Sequence, residues 1–315
     1  MSKMKILIIL LIVILFVLTI LYFVVGNYFY EIALNPKSSK TFVLVDVEEN
    51  EQQKEGRIQA ENWLDEVSKD VYITTSNNGS LKLHGYEIIN KINTDIWAIV
   101  IHGYCSQGKD MIYYTKQYYN KGYNVLVLDL RGHGKSEGDY IGMGWHDRLD
   151  IIDWTNYLIN KNPNSKIILH GVSMGAATVM MATGESLPNN IKVAIEDCGY
   201  SSIWDEFKMQ LKVLFNLPEF PVLNAASAVC KIRAGYILEE GSTVEQVRKS
   251  KIPTLFIHGD LDRFVPFEML DEVYQAASCE KEKLVIKGAA HAEASGVNPN
   301  LYWETVDEFI EKYIY

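Results

Sequence analysis

Lys166-Ile167-Ile168-Leu169-His170-Gly171-Val172-Ser173-Met174-Gly175-Ala176-Ala177-Thr178-Val179-Met180 is an apolar run, a serine set between glycines, and a second apolar run. The first part has the length and flat hydropathy of a buried strand, and the part after Gly175 reads as a helix. A strand, Gly-x-Ser-x-Gly and a helix in succession make a nucleophile elbow. The turn is tight, so its flanking positions need residues without bulk. It lifts the serine oxygen above the sheet at a helix N-terminus, where developing negative charge is favoured. At a glycine frequency near 7%, the five-residue pattern alone would occur by chance in about one chain in ten of this length. The strand and helix around it carry the argument.

A serine hydroxyl needs a base to become a useful nucleophile. Of seven histidines, only His291 lies beyond the last expected strand, in Gly288-Ala289-Ala290-His291-Ala292-Glu293. The chain order nucleophile, acid, base places the acid between Ser173 and His291. Asp262 and Asp260 both follow the apolar run at 254–257. Asp262 is the better candidate, because a position one or two residues past the turn gives reach toward His291. Asp260 is suited to capping the turn, and Asp197 is a third candidate. The acid holds the imidazole tautomer and stabilises its charged form. Two backbone amides are expected to form an oxyanion hole. One is Met174, after the nucleophile; the other is Tyr104, in the His102-Gly103-Tyr104 loop after the run at 97–101. His102 then belongs to the loop scaffold, and Tyr104 and Cys105 are candidates for lining an acyl pocket.

Around the elbow, short apolar runs at 97–101, 124–128, 166–170, 193–195, 254–257 and 283–286 alternate with helical-period segments such as 147–158. That alternation predicts a doubly wound, mostly parallel sheet. Residues 71–75 and 81–89 read as an opening antiparallel pair joined at Asn77-Asn78-Gly79. Residues 201–250 delay the next strand by about fifty positions and carry Trp204, Phe207, Leu211 and Phe215. A helical cap insertion explains the delay. Asp129 through Ser136 ends in Gly134-Lys135-Ser136, but Asp129 stands where a phosphate loop needs its first glycine; the stretch reads as a structural turn. His, Cys, Asp and Glu show no metal-ligand spacing, so neither a metal nor another cofactor is expected.

Residues 6–25 are apolar throughout, with Thr19 and Tyr22 the only mildly polar members. As a helix this run would span about 30 Å, the thickness of a bilayer's hydrocarbon core. Tyr22, Phe23, Tyr28, Phe29 and Tyr30 follow as an interfacial belt, and Lys3 and Lys5 precede it. A cleaved signal would have a shorter apolar region ending in small residues. A retained single-pass anchor is expected, with a cytoplasmic N-terminus and an outward-facing catalytic domain. The expected organisation is an anchor over 1–30, a tether and accessory helix over 31–69, and a catalytic domain over 70–315. In the accessory helix, Ile58, Trp63, Leu64 and Val67 are candidate contacts to the main body.

The 48% hydrophobic and 22% charged composition is globular, and the net charge is −10. Lys3 and Lys5 are the only charges in the first 25 residues, so the remainder is more acidic still. Nucleic acid is not an expected partner, because binding it needs the opposite sign. Cys105, Cys198, Cys230 and Cys279 lack close pairing and are expected as unpaired thiols, although an extracellular domain would permit a disulfide. The sequence is silent on oligomeric state.

Taken in order, His102-Gly103, the Asp129 to Ser136 turn with Arg131, Gly132 and His133, the elbow of Gly171, Ser173 and Gly175, then Gly259, Asp260, Asp262, Val265 and Pro266, and the late His291 resemble the α/β-hydrolase superfamily over residues 70–315. The chain looks most like bacterial members with a single N-terminal membrane helix. The resemblance implies the α/β-hydrolase fold and hydrolysis of esters or related acyl compounds. The serine argues against the dehalogenase branch, which uses aspartate there. The expected activity is a serine hydrolase, carboxylesterase- or lipase-like, acting through an acyl-enzyme on a small-molecule or lipid-like ester. A peptidase or amidase, or a non-catalytic binding protein on the same fold, are the alternatives.

Overall fold

The computed structural model describes residues 2–41, 51–77 and 79–315. Asn78 of the expected hairpin turn, and the tether over 42–50 with the head of the accessory segment, lie outside the described residues.

Among the described residues, eight strands form one sheet: β1 (Ser68–Thr74), β2 (Lys82–Ile88), β3 (Ile96–Ile101), β4 (Asn124–Leu128), β5 (Lys166–Val172), β6 (Ile191–Asp197), β7 (Thr254–Gly259) and β8 (Lys281–Ile286). Their spatial order is β1-β2-β4-β3-β5-β6-β7-β8. β2 pairs antiparallel with β1 and β4, and every pairing from β4 to β8 is parallel. β3, β4 and β7 are buried along their whole length, which explains their flat hydropathy. β3 has β4 on one side and β5 on the other, so the winding direction reverses there. Ligands of open α/β sheets bind outside the strand C-termini at such a switch point, and the loop after β3 and the turn after β5 both lie there.

The helices are α1 (Lys3–Leu34), α2 (Glu51–Val67), α3 (Ile112–Asn120), α4 (Asp147–Lys161), α5 (Met174–Thr183), α6 (Ile203–Phe215), α7 (Glu219–Ala234), α8 (Thr243–Val247), α9 (Glu268–Ala276), α10 (Ala294–Val297) and α11 (Pro299–Ile314). One apolar cluster joins residues of α1, α4, α5, α6 and α7 to the sheet, and a second joins residues of α2, α3 and α11 to it. In α2, Leu64 is buried and Trp63 packs edge-on against Tyr119 at 5.6 Å, whereas Ile58 stays exposed.

The Asp129 to Ser136 turn is held by buried polar groups. The Asp129 carboxylate accepts the amides of Gly108 and Lys135 and bonds His84 Nδ1 at 2.7 Å. Arg131 donates Nε and Nη2 to the two oxygens of Asp150 on α4, at 2.9 and 2.7 Å, and both side chains are buried. Such a pair is costly to break, because the survivor remains a buried charge. Arg131→Met is expected to lower unfolding free energy by about 3–5 kcal/mol, read as an earlier urea midpoint at unchanged slope.

Helix α1 departs from the expected layout. The helix is long and apolar enough to cross a bilayer, and its leading part is exposed. It continues past residue 30 to Leu34, so residues 31–34 are helix rather than tether, and Gly26, Tyr30 and Leu34 are buried. Gly26 lies so close to α7 that a Cβ there would sit 2.3 Å from the Ala225 carbonyl oxygen. Phe29 meets Phe215 edge-on at 5.3 Å, and Arg233 pairs with Glu31. Phe29 and Tyr30, two of the five residues expected in an interfacial belt, therefore belong to a packed helix–helix contact, whereas Phe23 and Tyr28 stay exposed.

Candidate active site

The elbow needs its glycines for contact as well as conformation. A Cβ on Gly171 would lie 2.1 Å from the Gly175 carbonyl oxygen, and one on Gly175 would lie 2.2 Å from that of Ile101. Ser173 itself has φ 57° and ψ −119°, a strained region for a residue with a side chain. Its amide donates to the Asp197 carbonyl at 2.8 Å, and its carbonyl accepts the Ala177 amide, so β6 and α5 hold the turn from both sides.

The three residues named from the sequence meet here. Ser173 Oγ lies 2.8 Å from His291 Nε2, and His291 Nδ1 lies 2.7 Å from Asp262 Oδ2. An ionised carboxylate only accepts, so Nδ1 carries the proton and Nε2 is free to accept from the serine. Asp262 Oδ1 accepts the amides of Phe264 and Val265, both at 2.9 Å. Burial opposes ionisation of the Asp262 carboxyl, but hydrogen bonds from His258 and His291 outweigh it and hold it at about 2. The Phe264 ring lies 4.8 Å from the His291 ring.

The other acids are engaged elsewhere. Asp260 accepts the Gly288 amide at 2.6 Å, which ties its turn to the loop carrying His291. Asp197 accepts the Tyr302 hydroxyl at 2.9 Å, and burial pushes its carboxyl up to about 6. His102 is fully buried, with Nδ1 against the Gly103 carbonyl and Nε2 accepting the Leu130 amide; burial pushes it down to about 3. It is a neutral scaffold residue.

Gly103 brings the loop after β3 against the nucleophile, since a Cβ there would lie 3.2 Å from Ser173 Cβ. Met174, as the first residue of α5, has an amide with no acceptor within the helix. Tyr104 lines the Ser173 pocket, but its hydroxyl donates 2.6 Å to the Ala33 carbonyl of α1. Cys105 turns away. It lines a separate depression with Pro36, Ser38 and Lys40, and does not line the pocket that holds Ser173. The local reason is its left-handed backbone, at φ 60°. All four cysteines are free.

The pocket above Ser173 is apolar and built mainly by helices. α6 contributes Phe207, Leu211 and Leu214, α7 contributes Val222, Leu223 and Ala226, and α1 contributes Phe29, Ile32 and Ala33. Sequence reasoning missed the α1 contribution, and it also missed His258 and Glu206. His258 Nε2 contacts Asp262 Oδ2 at 3.3 Å. Glu206 is 3% exposed. Its Oε1 accepts Gln210 Nε2 at 2.9 Å, its Oε2 has no partner, and both residues line the pocket. Gln210 also donates to the Phe264 carbonyl at 2.9 Å. A signal existed: Glu206 and Gln210 interrupt the stripe Ile203, Phe207, Leu211, Leu214 on one face of α6.

Burial pushes the Glu206 carboxyl up to about 8. An acid whose folded pKa exceeds its unfolded value near 4.3 loses stability as pH climbs between the two. Glu206→Gln cannot ionise and keeps the acceptor for Gln210. It is expected to melt several degrees above the native chain at about pH 9 and to match it near pH 4, a comparison made by differential scanning calorimetry.

Among the described residues, Cys198, Asp262 and His291 bring three donor atoms within 4.8 Å. The donors of Asp262 and His291 are already spent on each other, on Ser173 and on backbone amides. Burial keeps the Cys198 thiol protonated. The group fits a proton relay better than an ion site.

A family model described as serine aminopeptidase, S33 matches residues 94–211. YqkD of Bacillus subtilis (strain 168) is 27% identical over 79% of this chain and 81% of its own length. YfhR of Escherichia coli (strain K12) is 24% identical over 68% and 70%. Among solved structures, the esterase Pf2001 of Pyrococcus furiosus superposes with a TM-score of 0.66 at 26% identity, covering 81% of this chain and 94% of that one. The uncomplexed acylaminoacyl peptidase of Pyrococcus horikoshii superposes at 0.59 with 18% identity, covering 79% and 42%, a likeness of fold. Strand order, elbow and relatives agree, and this chain is a hydrolase of the α/β-hydrolase superfamily.

Proposed function

We propose that the protein is a membrane-anchored serine hydrolase that cleaves carboxylic esters through Ser173, His291 and Asp262. The observation that carries this reading is the relay from Asp262 through His291 to Ser173, at 2.7 and 2.8 Å, on the wall of an apolar pocket. Ser173 Oγ attacks the ester carbonyl carbon while its proton passes to His291 Nε2. The amides of Met174 and Tyr104 hold the oxyanion. His291 returns the proton to the leaving oxygen, and the alcohol departs from an acyl-serine. Water then attacks that carbonyl, its proton moves through His291 to Ser173 Oγ, and the carboxylic acid leaves. Asp262 keeps Nδ1 protonated and supports the imidazolium. Every step is a proton transfer or acyl transfer, which side chains and backbone amides can supply.

Helix α1 supports retention as an anchor, because a cleaved leader would have no reason to pack Gly26, Tyr30 and Leu34 into the folded domain. Lys3 and Lys5 before the span put the N-terminus in the cytoplasm and the catalytic domain outside. The peptidase reading draws on the family description and on the acylaminoacyl peptidase fold. The apolar pocket favours acyl chains over peptides. The test compares p-nitrophenyl butyrate with alanine p-nitroanilide on the full-length protein in detergent. Ester turnover far above anilide turnover supports the esterase, the reverse ratio supports the peptidase, and neither, together with no fluorophosphonate labelling, points to a binding protein.

A further inference from the structure

The acyl pocket and the membrane helix share residues. Phe29, Ile32 and Ala33 of α1 line the same pocket as Ser173. The connection is built, not incidental. The Ala33 carbonyl accepts the hydroxyl of Tyr104, in the loop beside the nucleophile. The Leu34 carbonyl accepts the Ile141 amide. Lys40 Nζ caps the helix end by donating to the carbonyls of Ile32 and Asn35, at 2.6 and 2.9 Å.

The register of α1 sets where this pocket lies. A hydrocarbon core about 30 Å thick takes about twenty helical residues, which residues 6–25 supply. Gly26, the next residue, is the first buried one of the helix and lies against Ala225 of α7. Phe29 then stands about 6 Å along the helix beyond the hydrocarbon edge, and Ala33 about 12 Å. That is headgroup depth. Helices α6 and α7, which complete the pocket, leave Val213, Leu214 and Phe220 exposed; Phe220 is 71% accessible. Large exposed apolar side chains on the helices that build the pocket, Leu214 of its own lining among them, suit contact with a bilayer better than with water.

We propose that α1 is one wall of the acyl site and that the enzyme takes the acyl chain of a membrane glycerolipid directly from the bilayer, along α1 into the pocket. This rests on the serine esterase reading. The bond broken is the lipid's acyl ester. The acyl group passes to Ser173 Oγ and then to water, the glycerol oxygen leaves protonated, and no further reactant is needed.

The test uses the full-length chain in nanodiscs of phosphatidylglycerol and phosphatidylethanolamine doped with dioleoylglycerol. Three quantities are read: fluorophosphonate labelling, the kcat/KM ratio of p-nitrophenyl octanoate to p-nitrophenyl acetate, and oleate release. Ala33→Trp fills the α1 wall and Phe29→Ala opens it. Labelling should survive in both. The octanoate-to-acetate ratio should fall about tenfold or more in Ala33→Trp, since even one methylene in a pocket is worth that order, and it should rise in Phe29→Ala, where the wall opens. Oleate release should drop with the ratio in Ala33→Trp. An unchanged ratio in labelled Ala33→Trp overturns the wall. If that variant does not fold, Phe29→Ala decides: a changed chain-length profile supports the wall and an unchanged one overturns it. Octanoate turnover without oleate release by the native protein overturns the bilayer source. A native protein that is neither labelled nor active on any ester defeats the esterase reading itself, and is told apart by that first readout.

Discussion

Ser173→Ala is expected to abolish fluorophosphonate labelling and to reduce ester turnover by a factor on the order of a million, since nucleophile and base act as a unit. The serine Oγ is the atom 2.8 Å from His291 Nε2, and the Cys198 thiol beside the relay is held protonated by burial, so no neighbour replaces it. The fold should survive. Alanine fits wherever serine does, and the elbow is held by backbone bonds to β6 and α5 that the substitution leaves in place. Circular dichroism and the melting temperature of the variant should therefore stay close to the native values. A variant that still turns over p-nitrophenyl esters at a native rate would remove Ser173 from the chemistry.

Asp262→Asn should cost about ten-thousandfold in kcat, because the amide offers a donor where His291 Nδ1 needs an acceptor. The imidazole then protonates Nε2 instead and can no longer take the serine proton. Asp260→Asn and Asp197→Asn are the controls. The first weakens the turn at Gly288 and the second a buried bond to Tyr302. Both should stay within about tenfold of native kcat, because neither carboxylate touches His291. With Asp262 held at about 2, the native acid stays ionised across the working range, and an acidic limb above pH 4 in the rate profile reports another group. The depressed pKa also adds stability that is present above the unfolded carboxyl value near 3.9 and is lost as pH falls toward 2.

Much of the frame was legible because its causes are local. Buried parallel strands must be short apolar runs, and the elbow must have glycines where Gly171 and Gly175 would otherwise strike backbone. Ser173, Asp262 and His291 could be named because their order along the chain follows the order of strands, and each sits just after β5, β7 or β8. Asp260 and Asp262 part in a way the sequence did not give: Asp260 does not cap its own turn but accepts the Gly288 amide of the loop that carries His291, while Asp262 meets the imidazole.

Other features were hidden for a physical reason. Cys105 follows Tyr104 immediately, yet one left-handed residue turns it to a different depression. Glu206 reads as an ordinary charge on an amphipathic helix until the opposite wall is known; only then is it a neutral acid with an open oxygen inside the pocket. His258 becomes visible at the site only when β7 carries it behind Asp262.

By itself the sequence determined the parallel sheet, the strained serine turn, the candidate base and acid, and the apolar N-terminal helix, all set by short-range patterns of hydropathy and steric need. What only the tertiary structure decided is where the exposed part of that helix ends and its part in the domain begins. Lipid tails and a protein core are equally apolar, so Val24 and Phe29 look alike in the sequence. The approach of Gly26 to Ala225, and the bond from Tyr104 to Ala33, separate them.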